Sequence, residues 1–169
     1  MNMALTELKK PKRTVRTPHI EIRMATTKDA AMISAFLGRF FHLSDWSNHL
    51  KYHEARARVH LEDVVGTEFA MYALAMEGDE MVGVCSYHVF RVFTEPMAVM
   101  DETYTIPKYQ RTDLGRRLIS MIIDLARADG CKVMNFPICS GMREQNSLMN
   151  MLGRHFDAEP VGMIFRKVL

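Results

Sequence analysis

Tyr104-Thr-Ile-Pro-Lys-Tyr-Gln-Arg-Thr-Asp-Leu-Gly-Arg-Arg-Leu118 is the stretch on which the fold turns. A β-strand reads to its end at Ile106, Pro107 opens a short loop, and a helix begins at about Leu114. Such a junction aims free backbone N–H groups and the positive end of a helix at one point, which makes an anion site with phosphate as its natural guest. Gly115 removes a Cβ where a ligand would approach the backbone closely. Arg111, Arg116 and Arg117 add full positive charges. The plainer alternative is a helix that starts after a turn and carries solvated arginines.

Downstream, Leu114, Leu118, Met121, Ile122 and Leu125 form one apolar stripe and Gly130 closes the helix. A strand follows over residues 132–138, a helix over 144–152 and a last strand over 161–168. Upstream, residues 98–106 form a strand after Pro96. Before it, two apolar runs, 68–76 and 81–90, flank a turn at Gly78-Asp79 and read as a hairpin. Polar and apolar residues alternate over 19–24, a short first strand. Ala30, Ile33, Phe36, Leu37 and Phe40 then mark a helix that Thr27 is placed to cap. Leu43, Trp46, Leu50, Ala57, Leu61 and Val64 suggest a second helix ended by Gly66. The order is β-α-α-β-β-β-α-β-α-β. An antiparallel meander running into a strand–helix–strand crossover, with parallel neighbours, makes a mixed α/β domain.

A length of 169 residues fits one domain, and a hydrophobic share of 48% is enough to build its core. A net charge of +2 names no partner. Cys85, Cys131 and Cys139 form no CxxC pair, so neither a disulfide framework nor a zinc knuckle is indicated. The start of the chain carries no apolar signal segment, and no run reaches the ~18 apolar residues of a membrane span; a cytoplasmic location is expected. Lys9, Lys10, Lys12, Arg13 and Arg16 cluster around Pro11 and Pro18, so residues 1–18 read as a solvated basic tail before a domain over 19–169. No aromatic residue interleaves with those charges, which speaks against a nucleic-acid arm. The fifteen methionines read as core filler. His49 and His53 stand four apart with His42 and His60 nearby. They read as partly buried packing residues rather than zinc ligands, since no HExxH arrangement exists.

Gln110-Arg-Thr-Asp-Leu-Gly115 resembles the Gln/Arg-x-x-Gly-x-Gly/Ala signature of the GNAT acetyltransferases at its first and last positions, and the family's usual proline and aromatic residue precede it. The element order over 19–169 matches that fold as well. The resemblance implies a GNAT-like acyl-CoA N-acyltransferase fold, with acetyl-CoA as acyl donor and no metal. Gln110, Arg111, Thr112, Asp113, Leu114, Gly115 and Arg116 would hold its pyrophosphate. Asn146 resembles the family's helix asparagine that meets the pantetheine arm, and His155-Phe156 stands where many members have Gly-Phe. Asp113 departs from the family's usual glycine; an aspartate tolerates positive φ and can cap a helix, with its carboxylate turned from the phosphates.

By the same resemblance, Thr103, Tyr104, Thr105 and Ile106 would bond pantetheine like an added strand. An amide near Thr103 would polarise the thioester carbonyl. The amine attacks directly, so no protein nucleophile is needed and Cys139 and Ser140 are not expected to be catalysts. Asp101 and Glu102, the nearest acids upstream, are expected to point to opposite faces of the strand; either one of them serves as base, directly or through water, and the other is a solvated or ion-paired bystander, or neither is catalytic. Met151 takes the place where many members carry a general-acid tyrosine. Trp46, His49 or Tyr52 would shape the acceptor site. The acceptor itself, a small molecule or a protein amine, stays open, as does a homodimer. The alternative is a member of the same fold that binds acyl-CoA or a partner protein without turnover.

Overall fold

The computed structural model describes residues 19–67, 70–138 and 145–161, without the side chains of Val92, Gln145 and Asn146. The expected tail over 1–18, Cys139, Ser140 and all but the first residue of the expected strand over 161–168 lie outside these residues. The elements are β1 (Glu21–Met24), α1 (Ala30–Leu43), α2 (Glu54–Val64), β2 (Met71–Glu77), β3 (Glu80–Val92), β4 (Glu95–Thr105), α3 (Leu114–Ala128), β5 (Met134–Asn135) and α4 (Gln145–Phe156). They build a five-stranded sheet in the order β1-β2-β3-β4-β5. The first four strands are antiparallel neighbours, and β5 runs parallel to β4 after the α3 crossover.

Strand alternation sends side chains to two cores. Ala73, Ala75, Cys85, Tyr87, Ala98 and Met100 pack under Leu114, Leu118, Ile119 and Ile122 of α3. On the other face Tyr72, Leu74, Met76, Val84 and Tyr104 meet Ile33, Phe36 and Leu37 of α1 and Leu61 of α2. Helices thus cover both faces of one sheet. The contact with α3 is close: a Cβ on Gly83 would stand 3.1 Å from both Leu118 Cδ1 and Thr105 Cγ2. The α3 helix ends as its sequence suggests. Gly130 takes φ +82°, and the Cys131 N–H donates to the Ala126 carbonyl at 2.9 Å.

Local details differ from the sequence reading. The chain enters α1 through Thr26, not Thr27. Asp29 accepts from the Thr26 N–H at 2.8 Å and from the Arg23 fork at 2.7 and 2.9 Å. The Arg23 bond is the main reason that the Asp29 carboxyl lies well below the usual carboxylate range. The single helix expected from Leu43 to Val64 is broken into a 3₁₀ turn, Asp45–Asn48, an extended stretch, and α2. Its supposed apolar stripe does not bury as one face: Leu43 is 60% and Leu50 57% exposed, Trp46, Ala57 and Val64 are half-buried, and Leu61 is buried. The Ser44 hydroxyl donates to the Phe41 carbonyl at 2.8 Å, a local bond that competes with helix continuation. Strand β4 starts before Pro96, and β5 is only two residues long.

Candidate active site

Cys85 pairs with Thr103 and Tyr87 pairs with Met100, so Ser86 alone faces both Asp101 and Glu102. The surplus residue is a β-bulge in β4. Packing carries its imprint: Met100 lies in the α3 core and Tyr104 in the α1 core, although a regular strand keeps positions four apart on one face. Asp101 and Glu102 therefore do not diverge to opposite faces, as simple alternation predicts. Both line one cavity.

The two carboxylates have different surroundings. The Glu102 N–H donates to Ser86 Oγ at 3.1 Å, and the Ser86 hydroxyl donates to Glu102 Oε2. Ser86 is fully buried and also hydrogen-bonds Tyr72. Burial pushes the Glu102 carboxyl above its ordinary range; the Ser86 bond opposes this, and the charge of Asp101 adds to it. Asp101 is half-exposed and holds His88 Nδ1 within 2.7 and 2.8 Å of its two oxygens. One carboxyl is thus tuned toward proton uptake while the other sits in an ion-pair geometry. Sequence reasoning missed Ser86 and His88. Their trace was the polar alternation Ser86-Tyr-His88 within an otherwise apolar strand.

The cavity holds about 260 Å³ where β4 parts from β5. Phe40 and Phe41 of α1, then Trp46 and Tyr52 from the broken segment, form one wall; Ile138 and Leu148 form another. Tyr52 is pinned by its hydroxyl, which donates to the Ser34 carbonyl at 2.7 Å. Its ring lies so close to α1 that a Cβ on Gly38 would stand 2.9 Å away. Of the three residues expected to border an acceptor, Trp46 and Tyr52 line the cavity and His49 does not. His42, His49, His53 and His60 are all exposed rather than packed. Among the described residues no three metal-ligating side chains gather.

Above the bulge, the Ile106 N–H donates to the Val82 carbonyl at 3.0 Å, so by alternation Thr103 and Thr105 turn their amides away from β3. On that side β5 pairs with Ala98 and Val99 alone. Gln110 Nε2 donates to the Thr105 carbonyl at 3.2 Å, tying the loop to this edge. Tyr104 is buried against Phe36 and Phe40, with ring centroids 5.7 and 4.8 Å apart, and Leu114 is buried under the sheet. Their side chains are closed to a ligand, and Tyr104 also turns its backbone toward Val84 of β3, so the amides free at this edge are those of Thr103 and Thr105.

Thr112, rather than Asp113, tends the start of α3. Its hydroxyl donates to the Tyr109 carbonyl at 2.7 Å and accepts from the Leu114 N–H at 3.3 Å. Asp113 has φ −78° and no capping bond, contrary to the expected cap and left-handed tolerance; its Oδ2 lies 3.6 Å from Arg116 Nη2. A Cβ on Gly115 would meet nothing within 4 Å. Arg111 is exposed beside this opening, but Arg117 turns to the Ile20 carbonyl at 3.2 Å. Asn146 lies in the first turn of α4, and Met151 packs half-buried from the same helix.

The description "Acetyltransferase (GNAT) family" belongs to a family model that matches residues 37–140, well over half of the chain. The chain is a member of the GNAT acetyltransferase family. Solved structures share its GNAT fold. An aminoglycoside acetyltransferase from an uncultured soil metagenomic sample, solved with sisomicin, is 15% identical with a TM-score of 0.68, over 89% of this chain and 96% of that one. Aminoglycoside N-acetyltransferase AAC(6')-Iy, solved with CoA, is 14% identical with a TM-score of 0.69, over 90% and 97%. A ribosomal-protein-alanine N-acetyltransferase from Brucella melitensis biovar Abortus 2308 is 13% identical with a TM-score of 0.62, over 88% and 100%. No curated protein matches this GNAT sequence significantly. Among the described residues no helix is long and apolar enough to cross a membrane.

Proposed function

We propose that this GNAT member moves the acetyl group of acetyl-CoA onto a primary amine by direct attack within a ternary complex. The observation that carries this reading is the bulge, which sets two carboxylates against a cavity beside a strand edge that β5 has left. The fold neighbours, whose printed names describe acetylation of aminoglycosides and of a ribosomal-protein alanine, support amine chemistry.

The residues at the start of α3 fit an anionic diphosphate: the Gly115 position is open, and the first N–H groups of a helix have no partner within it. Gln110, Arg111, Thr112, Asp113, Leu114, Gly115 and Arg116 would hold that group, Arg111 and Arg116 by charge and the others chiefly by backbone. Thr103, Thr105 and Asn146 would hold the pantetheine arm, with Tyr104 and Ile106 keeping the strand in place through their bonds to β3. Acetyl-CoA supplies the acyl group as a thioester.

Glu102 takes the proton of the incoming ammonium, a role suited to a carboxyl that burial has made more basic. The freed amine nitrogen forms the C–N bond as the C–S bond breaks. The Thr103 amide meets the charge that develops on the carbonyl oxygen. A thiol with an ordinary pKa of about 8.5 leaves readily as thiolate and takes, through water, the second proton that the attacking nitrogen sheds, so Met151 in place of a tyrosine does not block the reaction. Asp101 stays hydrogen-bonded to His88 beside the cavity.

Thiol release from acetyl-CoA over a panel of amines tests the proposal. Saturable acetyl-CoA binding without release for any amine would favour the non-catalytic alternative, to which the lack of a tyrosine at Met151 lends support.

A further inference from the structure

We infer that the acceptor is a small monoamine whose ammonium sits on an apolar or aromatic body and which carries no carboxylate. This rests on the acetyl-transfer reading above and narrows it. Phe40, Phe41, Trp46 and Tyr52 give the cavity four aromatic side chains, and Leu37 adds to the apolar wall. Aromatic faces hold planar apolar bodies and cations alike. Among the described lining residues the ionisable acids are Asp101 and Glu102, and there is no lysine, arginine or histidine. His88 lies against Asp101 but is not part of the lining. A carboxylate on the acceptor would lose its water, find no cation among the described lining residues and face like charge.

Polar acceptors fare little better. The Ser44 hydroxyl already donates to the Phe41 carbonyl at 2.8 Å and the Tyr52 hydroxyl to the Ser34 carbonyl at 2.7 Å. Among the described lining residues few side-chain donors remain for a polyhydroxylated ligand. Size points the same way: about 260 Å³ lies below the ~300 Å³ at which sites for drug-sized ligands begin. One ring system on a short chain fits that space, whereas the linked rings of an aminoglycoside would extend out of it into solvent.

Matched acceptors test this on the full chain with acetyl-CoA. Initial thiol release is measured for phenethylamine against phenylalanine, tryptamine against tryptophan, and for spermidine and sisomicin. The same compounds are titrated calorimetrically into protein saturated with CoA. Each arylalkylamine should exceed its carboxylated twin in kcat/KM by at least about a hundredfold, the scale of like-charge rejection, and should also exceed spermidine and sisomicin. Turnover that is equal or better with the amino acids, spermidine or sisomicin overturns the acceptor class and leaves acetyl transfer standing. No turnover, with calorimetric preference for the arylalkylamines retained, overturns acetyl transfer and leaves the class. Neither turnover nor selective binding overturns both.

Discussion

Replacing Gly115 by leucine should improve the apo fold while abolishing its response to ligand. A Cβ there meets nothing within 4 Å, so the new side chain projects into open space. Leucine is the better helix former by about 0.7 kcal/mol in a helix interior, and somewhat less, about 0.5 kcal/mol, at the second residue of α3. For a chain of this length that raises the apo Tm by roughly 1–2 °C. Wild-type protein with acetyl-CoA at a hundred times its Kd gains about 2.7 kcal/mol by mass action, or roughly 5–11 °C. The variant should gain nothing, because the leucine occupies the approach of the diphosphate. Thermal denaturation with and without acetyl-CoA reads both effects, and calorimetric titration checks the affinity. Gly83→Ala is the companion: its Cβ would crowd Leu118 and Thr105 at 3.1 Å, so this variant should lose about 1–3 kcal/mol of stability. A ligand shift retained by Gly115→Leu would put the phosphate site elsewhere. A fall of several degrees in its apo Tm would refute the open-space reading.

Asp113→Gly should tighten CoA binding about fivefold at low salt, on the scale of ~1 kcal/mol for a charge near a helix end. The gain should shrink as salt is raised, and a weaker-binding variant would mean that Asp113 orders the loop for its ligand. Stability should fall only by the backbone-entropy cost of glycine, about 0.5–1 kcal/mol, because Asp113 makes no capping bond. Glu102→Gln should lower kcat by roughly 10²–10⁴, the range of general-base effects, and should not lower Tm at neutral pH. The folded pKa of Glu102 is raised, so its contribution to stability is complete below the unfolded value of about 4.3 and is lost as pH rises; the variant should lose less Tm than wild type between pH 5 and 8. Asp29→Ala should cost about 3 kcal/mol in urea unfolding at pH 7, since it strands Arg23 and the Thr26 N–H. The folded pKa of Asp29 is depressed, so its contribution is present above about pH 4, the unfolded value, and the gap between variant and wild type should close under progressive acidification.

The α3 helix was legible to the residue because its stripe, its glycine end and its loop all agree, and local consistency of that kind leaves little for tertiary structure to overrule. The hairpin at Gly78, with φ +62°, was legible for the same reason. The stripe from Leu43 to Val64 misled because its spacings fit a helix by coincidence. Side-chain bonds at Ser44 and Tyr52 fix a broken path there, and such bonds leave no periodic trace. The loop motif put Gly115 at the start of α3, where it stands, but assigned Asp113 a capping role that Thr112 fills, one residue earlier. The bulge was invisible for a plainer reason. Alternation is read from one strand, whereas a bulge is a mismatch in count between two, and only the pairing of Ser86 with Asp101 and Glu102 exposes it.

That mismatch gives the site an unusual genetic character. Deleting either Asp101 or Glu102 would leave Met100 opposite Tyr87 and Thr103 opposite Cys85, with a single residue between each pair, so the ladder would close regularly. No core side chain would change faces: Met100 would stay under α3 and Tyr104 against α1. The sheet thus has a sibling one codon shorter whose ladder is regular. If Glu102 is the base proposed above, loss of its codon would give a stable but silent descendant, while loss of the Asp101 codon would keep one carboxylate opposite Ser86.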